Sequence, residues 1–151
     1  MIDTIPREEI DRLLFNVMAA IYHFEQHKMR LFNLNFEAFY LLFFLRQRSS
    51  ATMGEIAKEL NIHISTASRV VDRLEKRGLI SRKKNPKDKR TILVGLEPEG
   101  EHMVALSQNH SYDLIKENLE KFKLDDLEAF KKTAAAMGAL LNTNPKPPDP
   151  A

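Results

Sequence analysis

Cysteine is absent from the 151 residues. That excludes disulfide staples, Cys-ligated zinc, iron–sulfur centres, a thiol nucleophile and a thiol redox switch. Long apolar runs are missing too. The longest, residues 39–45, falls far short of the ~18 residues a membrane helix needs. Asp3, Pro6, Arg7, Glu8 and Glu9 precede any apolar stretch, which is not the pattern of a signal peptide, so the expectation is a cytoplasmic protein with no membrane partner. There is no Gly-rich phosphate loop, nucleophile elbow or metal triad, and no acid/base pair in a cleft-like context. The chain is therefore expected not to be an enzyme and to need no cofactor. What is present, 43% hydrophobic and 29% charged residues, is the balance of a soluble globular chain of one domain's length.

Net charge is only +2, but it is unevenly spread. Residues 46–95 hold thirteen Lys/Arg against five Asp/Glu, a local +8, and the remainder carries −6. A basic middle between acidic flanks points to a polyanionic partner; a solvated basic face with no partner is the competing reading.

Helical spacing recurs along most of the chain. Ile10, Leu13, Leu14, Val17, Ile21 and Phe24 predict a long amphipathic helix from about Pro6 to Met29, with Asp3 or Thr4 as cap and Pro6 in its first turn. Asn35 can cap a second helix, apolar nearly all round from Phe36 to Leu45. A strand is the alternative for so short an aromatic run, but Glu37-Ala38 and Arg46-Gln47 extend it at good helix propensity. Ser49-Ser50-Ala51 reads as a loop. Thr52-Met53-Gly54-Glu55 has capping-box form and opens a short helix ending at Leu60. Asn61 turns the chain, and a further helix from His63 or Ile64 runs to a stop at Gly78. Residues 79–84 and 90–94 read as strands of a hairpin, with a turn-forming tip at residues 85–89. A long helix follows from Glu97 to about Phe122. A last helix carries Asp125 and Glu128 at capping-box spacing and runs to Leu141. Residues 142–151, with four of the seven prolines, are expected to be a disordered tail.

The pair from Thr52 to Arg77 matches a helix–turn–helix. A recognition helix enters the major groove by its N-terminal end, so its first turns need short hydrogen-bonding side chains and a longer cation. Ser65, Thr66, Ser68 and Arg69 supply these. The plain alternative is a polar solvent face. Arg73 has a second reading, since it can pair with Asp72, Glu75 or a hairpin residue. Arg82, Lys83, Lys84, Lys87, Lys89 and Arg90 share the hairpin with one acid, Asp88. Such a ribbon gains little from folding and much beside phosphates.

Residues 52–100 resemble the MarR family of winged-helix transcriptional regulators. The resemblance rests on Ile56-Ala57-Lys58-Glu59-Leu60, Ser65-Thr66-Ala67-Ser68-Arg69, Val71-Asp72-Arg73-Leu74-Glu75, Gly78-Leu79-Ile80, Asp88-Lys89-Arg90 and Leu96-Glu97-Pro98-Glu99-Gly100. His63 and Glu97 depart from it, standing where Ser and Thr are common. The implied fold is mainly α with a small β-hairpin: a winged helix–turn–helix core (35–96) flanked by N- and C-terminal dimerisation helices (6–32 and 97–141), all within one domain over 1–141. The implied function is a homodimeric, sequence-specific regulator, by family habit a repressor, gripping an imperfect palindrome of double-stranded DNA. By the same resemblance Asp88 braces Arg90, and Arg90 reaches into the minor groove.

The apolar stripes of the first and last two helices have little else in the chain to cover them, which argues independently for a C₂ dimer. A small aromatic or anionic effector is a further implication of the family. Phe36, Phe39, Tyr40 and Phe43, with His23 and His27 nearby, are candidates to line its pocket, although a Phe stripe at helical spacing is more often plain core. The His23/His27 pair at i, i+4 offers only two metal ligands, and no metal is expected. The rival to a DNA-binding regulator is a winged-helix protein- or RNA-interaction module without operator specificity.

Overall fold

The computed structural model describes residues 5–142. The chain divides into two compact units, Met1–Gln108 and Asn109–Ala151, and the division falls inside a helix. The expected caps Asp3 and Thr4, and residues 143–151 of the expected tail, lie outside the described residues.

Helix α1 spans Arg7–Phe32, and Pro6 is its N-cap rather than a first-turn residue. It runs three residues beyond Met29 because Leu31 and Phe32 stay helical. Asn33 then stops it in the left-handed region at φ 51°, its N–H donating to the Met29 carbonyl. Asn tolerates this conformation better than most residues. Helix α2 (Phe36–Arg48) is capped by Asn35, whose Oδ1 accepts the Ala38 N–H at 3.0 Å. The all-round apolar stretch is helical, and its burial explains its composition: Ala38, Phe39, Leu41, Leu42 and Leu45 are buried. α2 packs against α1, α3, α4 and the sheet, and so forms the centre of the core.

The sheet has three strands where the sequence predicts a hairpin. β1 (Ala51–Thr52), β2 (Ile80–Lys84) and β3 (Ile92–Leu96) are antiparallel in the order β1-β3-β2. Ala51, read from sequence as loop, is buried opposite Val94, with Thr52 opposite Leu93. Two residues are too short to show a period-2 pattern, which is why this strand leaves no sequence signal. β3 also sits two residues later than predicted. Arg90 and Thr91 belong to the turn, and Gly95 and Leu96 pair with Ser81 and Ile80.

α3 (Met53–Leu60) and α4 (Ile64–Lys76) follow the predicted pattern, and Gly78, at φ 69°, turns the chain after α4. α5 spans Pro98–Leu119, ending three residues before the expected Phe122, and α6 spans Leu124–Leu140. The expected Asp125/Glu128 capping box does not form. The N-cap is Lys123, with no side-chain cap, and Asp125 lies in the first turn, where its charge still suits the helix dipole. In the second unit, α6 buries none of its residues, and Phe122, Leu124, Phe130 and Leu140 are exposed.

At the start of α5, Gly100 is buried against the Leu79 backbone. A Cβ there would stand 2.0 Å from the Leu79 carbonyl oxygen. The preceding Glu97 N–H donates to that same carbonyl at 3.0 Å. The Leu-x-Pro-x-Gly stretch is thus the place where the re-entering helix lies directly on the start of β2.

Candidate nucleic-acid interface

The helix–turn–helix is held by backbone chemistry visible in its residues. Thr52 Oγ1 accepts the Glu55 N–H at 3.2 Å, and Glu55 Oε2 accepts the Thr52 N–H at 2.8 Å. The bond from the Thr52 backbone, followed by the Thr52 side chain, holds the Glu55 carboxyl below its ordinary pKa. At the far end of α3, Asn61 turns left-handed at φ 51°, and the Ile62 N–H returns to the Ala57 carbonyl at 3.0 Å. His63 occupies the N-cap of α4 in an extended conformation, with no side-chain cap bond. An uncapped helix start leaves its first N–H groups available to an anion.

α4 has two clearly different faces. Ala67, Val70, Val71 and Leu74 are buried. Ser65, Thr66, Arg69 and Arg73 are exposed, and Ser68 is half-buried. Sequence reasoning placed Arg82 among the phosphate-facing cations of the hairpin. Instead it reaches back onto α4. Its Nη1 donates to Glu75 Oε2 at 2.5 Å, its Nη2 to Asp72 Oδ1 at 2.6 Å and to Ser68 Oγ at 3.4 Å, and its backbone N–H to Glu75 Oε1 at 3.0 Å. The signal was available: Asp72 and Glu75, three residues apart on one helical turn, call for a shared cation. Their engagement by Arg82 also bears on Arg73. Both acids it was expected to compete for are taken, and among the described residues Arg73 has no ion pair.

The tip joining β2 to β3 is closed by two acidic or amide side chains. Asn85 Oδ1 accepts the Lys87 N–H at 3.0 Å, and the Asn85 N–H donates to the Thr91 carbonyl at 2.9 Å. Asp88 Oδ1 accepts the Arg90 N–H at 3.0 Å, and Oδ2 accepts the Thr91 hydroxyl at 2.8 Å. These two bonds, the Arg90 backbone first, hold the Asp88 carboxyl below its ordinary pKa. Asp88 therefore grips the Arg90 main chain, and the structure gives it no ion pair with the Arg90 guanidinium. Lys87, Lys89 and Arg90 are exposed. Glu97 accepts a hydrogen bond from the Ser81 hydroxyl and lies 3.5 Å from Lys83 Nζ, so the residue that departs from the family pattern ties β2 to the start of α5.

The six effector-pocket candidates occupy different surroundings. Phe39 is 3% exposed and contacts Phe32 and Phe43. Beside it lies Lys28, 7% exposed, whose Nζ sits 5.1–6.0 Å from the ring centroids of Phe24, Phe39 and Phe43 and 2.8 Å from Glu25. Phe36 and Tyr40 are exposed and stacked on one another, with the Tyr40 hydroxyl donating to Glu59 at 2.7 Å. His23 packs edge-on against Tyr22, and His27 is exposed. Among the described residues no three His, Asp or Glu side chains gather as a metal cluster, and no helix is long and apolar enough to cross a membrane.

Comparison with known proteins agrees with this architecture. The model of the MarR family matches residues 34–92. YsmB of Bacillus subtilis, an uncharacterized HTH-type transcriptional regulator, is 24% identical over 83% of this chain and 86% of its own. The HTH-type transcriptional regulator Hpr of Exiguobacterium sibiricum is 37% identical over 52% of this chain, but over only 42% of Hpr, so this chain spans less than half of that protein. Among solved structures, Streptococcus pneumoniae FabT in complex with DNA superposes with a TM-score of 0.76 at 15% identity, covering 90% of this chain and 97% of FabT, a likeness of fold. The helix–turn–helix and the three-stranded sheet fall inside the segment matched by the MarR family model or at its edge, so this part of the chain is similar to the MarR family, and the relatives that it matches are HTH-type transcriptional regulators.

Proposed function

We propose that the chain acts as a homodimer that binds an imperfect palindrome of double-stranded DNA and represses transcription until a small effector releases it. In this reading α4 lies in the major groove, with Ser65, Thr66, Ser68, Arg69 and Arg73 toward the bases and nearby phosphates. The β2–β3 tip lies along the flanking backbone, with Lys87, Lys89 and Arg90 toward phosphates or the minor groove and Asp88 holding the tip in shape.

The observation that carries the proposal is the split surface of α4 beside a basic tip. Four apolar residues anchor the helix, Arg82 fixes β2 to it, and Arg69, Arg73, Lys87, Lys89 and Arg90 are left exposed, with no ion pair among the described residues. An arrangement that repels itself in water is stabilised by a polyanion. The DNA-bound state of FabT, which shares the fold, supports the reading. Dimerisation is supported by the apolar side chains that one copy leaves exposed on α1, among them Leu13, Leu14, Phe15 and Met18, and by α6. A face of this kind is normally buried against another surface.

Selection of bound duplexes from a random pool tests the proposal. The expected product is a two-fold symmetric site with half-site centres roughly 34–36 Å apart. Recovery of no preferred sequence contradicts operator recognition and favours the interaction-module reading.

A further inference from the structure

α4 carries five apolar residues, and one of them has no place in the core. Ala67, Val70, Val71 and Leu74 are buried, whereas Ile64, at the first position of the helix, is 59% exposed. Standing three residues before Ala67, it continues the inward stripe by one turn. The core closes without it: Leu60 and Ile62, at the end of α3 and in the turn, already pack against the buried cluster.

The helix does not need it either. A β-branched side chain loses rotamer freedom in a helix and offers no capping oxygen. The first turn is closed instead by the His63 carbonyl, which accepts the Thr66 and Ala67 N–H groups at 3.0 Å each. Single exposed aliphatic side chains are common on protein surfaces; the position of this one sets it apart. Ser65 and Thr66 beside it are exposed, Lys58 and His63 line one hollow at the start of α4, and no acidic residue lies between Glu59 and Asp72. An aliphatic group set in a surface of hydroxyls and cations suits a polyanion that itself carries apolar groups. Duplex DNA does so, because the thymine C5 methyl is the apolar group that base pairs present in the major groove.

We propose that Ile64 reads thymine. In the proposed DNA complex its side chain packs on the C5 methyl of one thymine in each half-site. Removal of both apolar groups from water favours a T·A pair at that position, since a pair without the methyl leaves Ile64 against polar base edges. This specificity role rests on the DNA-binding reading.

Fluorescence anisotropy of the full chain on the selected duplex tests the assignment. Each thymine of the half-site is replaced in turn, in both halves together, by deoxyuridine, which removes only the methyl group. At one thymine position the loss of two methyl contacts is expected to weaken binding about tenfold. Ile64→Ala should bind the thymine duplex about tenfold more weakly and show no further loss with deoxyuridine at that position, because the contact is already gone. Thr66→Ser, which removes the neighbouring methyl group, should keep the full deoxyuridine loss there. The melting temperature of Ile64→Ala should not fall, and its sedimentation should match the parent. A half-site without thymine, no position sensitive to methyl removal, or an equal deoxyuridine loss in the parent and in Ile64→Ala overturns the assignment and leaves DNA binding standing. Altered sedimentation of Ile64→Ala with DNA affinity kept assigns the side chain to a protein contact and overturns it as well. Absence of any selected duplex overturns the DNA-binding reading, and this role with it.

Discussion

Arg73 and Arg82 carry the same charge nine residues apart, but of the two only Arg82 has ion-pair partners among the described residues. Arg82, its side chain 24% exposed, bridges Asp72 and Glu75. Arg82→Ala should lower stability by about 1–2 kcal/mol, a figure already discounted because both acids are substantially exposed. Chemical denaturation checks it. Arg69→Ala, by contrast, should leave stability within about 0.5 kcal/mol. Asp88 makes a residue-scale prediction in pH. Its folded pKa is depressed by the Arg90 N–H and the Thr91 hydroxyl. Its contribution to the order of the tip is therefore present above the unfolded carboxylate range and is lost as pH falls through the lower folded value. A titration of the Arg90 amide shift should have its midpoint below the ordinary 3.8. A midpoint at or above 3.8 contradicts the bracing role.

At the scale of elements, caps and close approaches set the boundaries. Thr52→Ala removes one half of the α3 capping box and should cost about 1 kcal/mol, read from the denaturation midpoint. Gly100→Ala forces a Cβ into the Leu79 carbonyl and should cost more than about 3 kcal/mol or prevent folding, which soluble yield and thermal melting will show. The helices were legible because their apolar spacing, the Asn35 cap, the Thr52/Glu55 box and Asn61 are local signals. β1 was not legible, since its only evidence is long-range pairing with Val94 and Leu93. The false capping box at Asp125 shows the limit of spacing alone: the helix begins at Leu124, two residues earlier than an Asp125 cap implies. At the candidate site the exposed face of α4 could be read from periodicity. The role of Arg82 was only half legible: Asp72 and Glu75 on one helical turn call for a shared cation, but a cation on a strand gives no sign of the helix it folds onto.

At the scale of the whole molecule, one copy leaves apolar surface uncovered. α1 leaves Leu13, Leu14, Phe15, Met18, Ile21 and Tyr22 exposed, and the second unit leaves α6 without a buried residue. Sedimentation should therefore give a particle of twice the 17.4 kDa chain. Leu14→Glu with Met18→Glu, adjacent on one face of α1, should shift it toward the monomer and lower DNA affinity together.

The central claim is that the exposed cations of α4 and of the β2–β3 tip meet DNA in one complex. Fluorescence anisotropy on the selected duplex, followed across salt concentration, tests it most directly. The parent chain should lose affinity with a log–log slope of roughly −5 to −9, Arg69→Ala should cost about 1–3 kcal/mol of binding, and Arg90→Ala should bind more weakly with a shallower slope. A flat salt dependence, or parental affinity in both variants, contradicts the account.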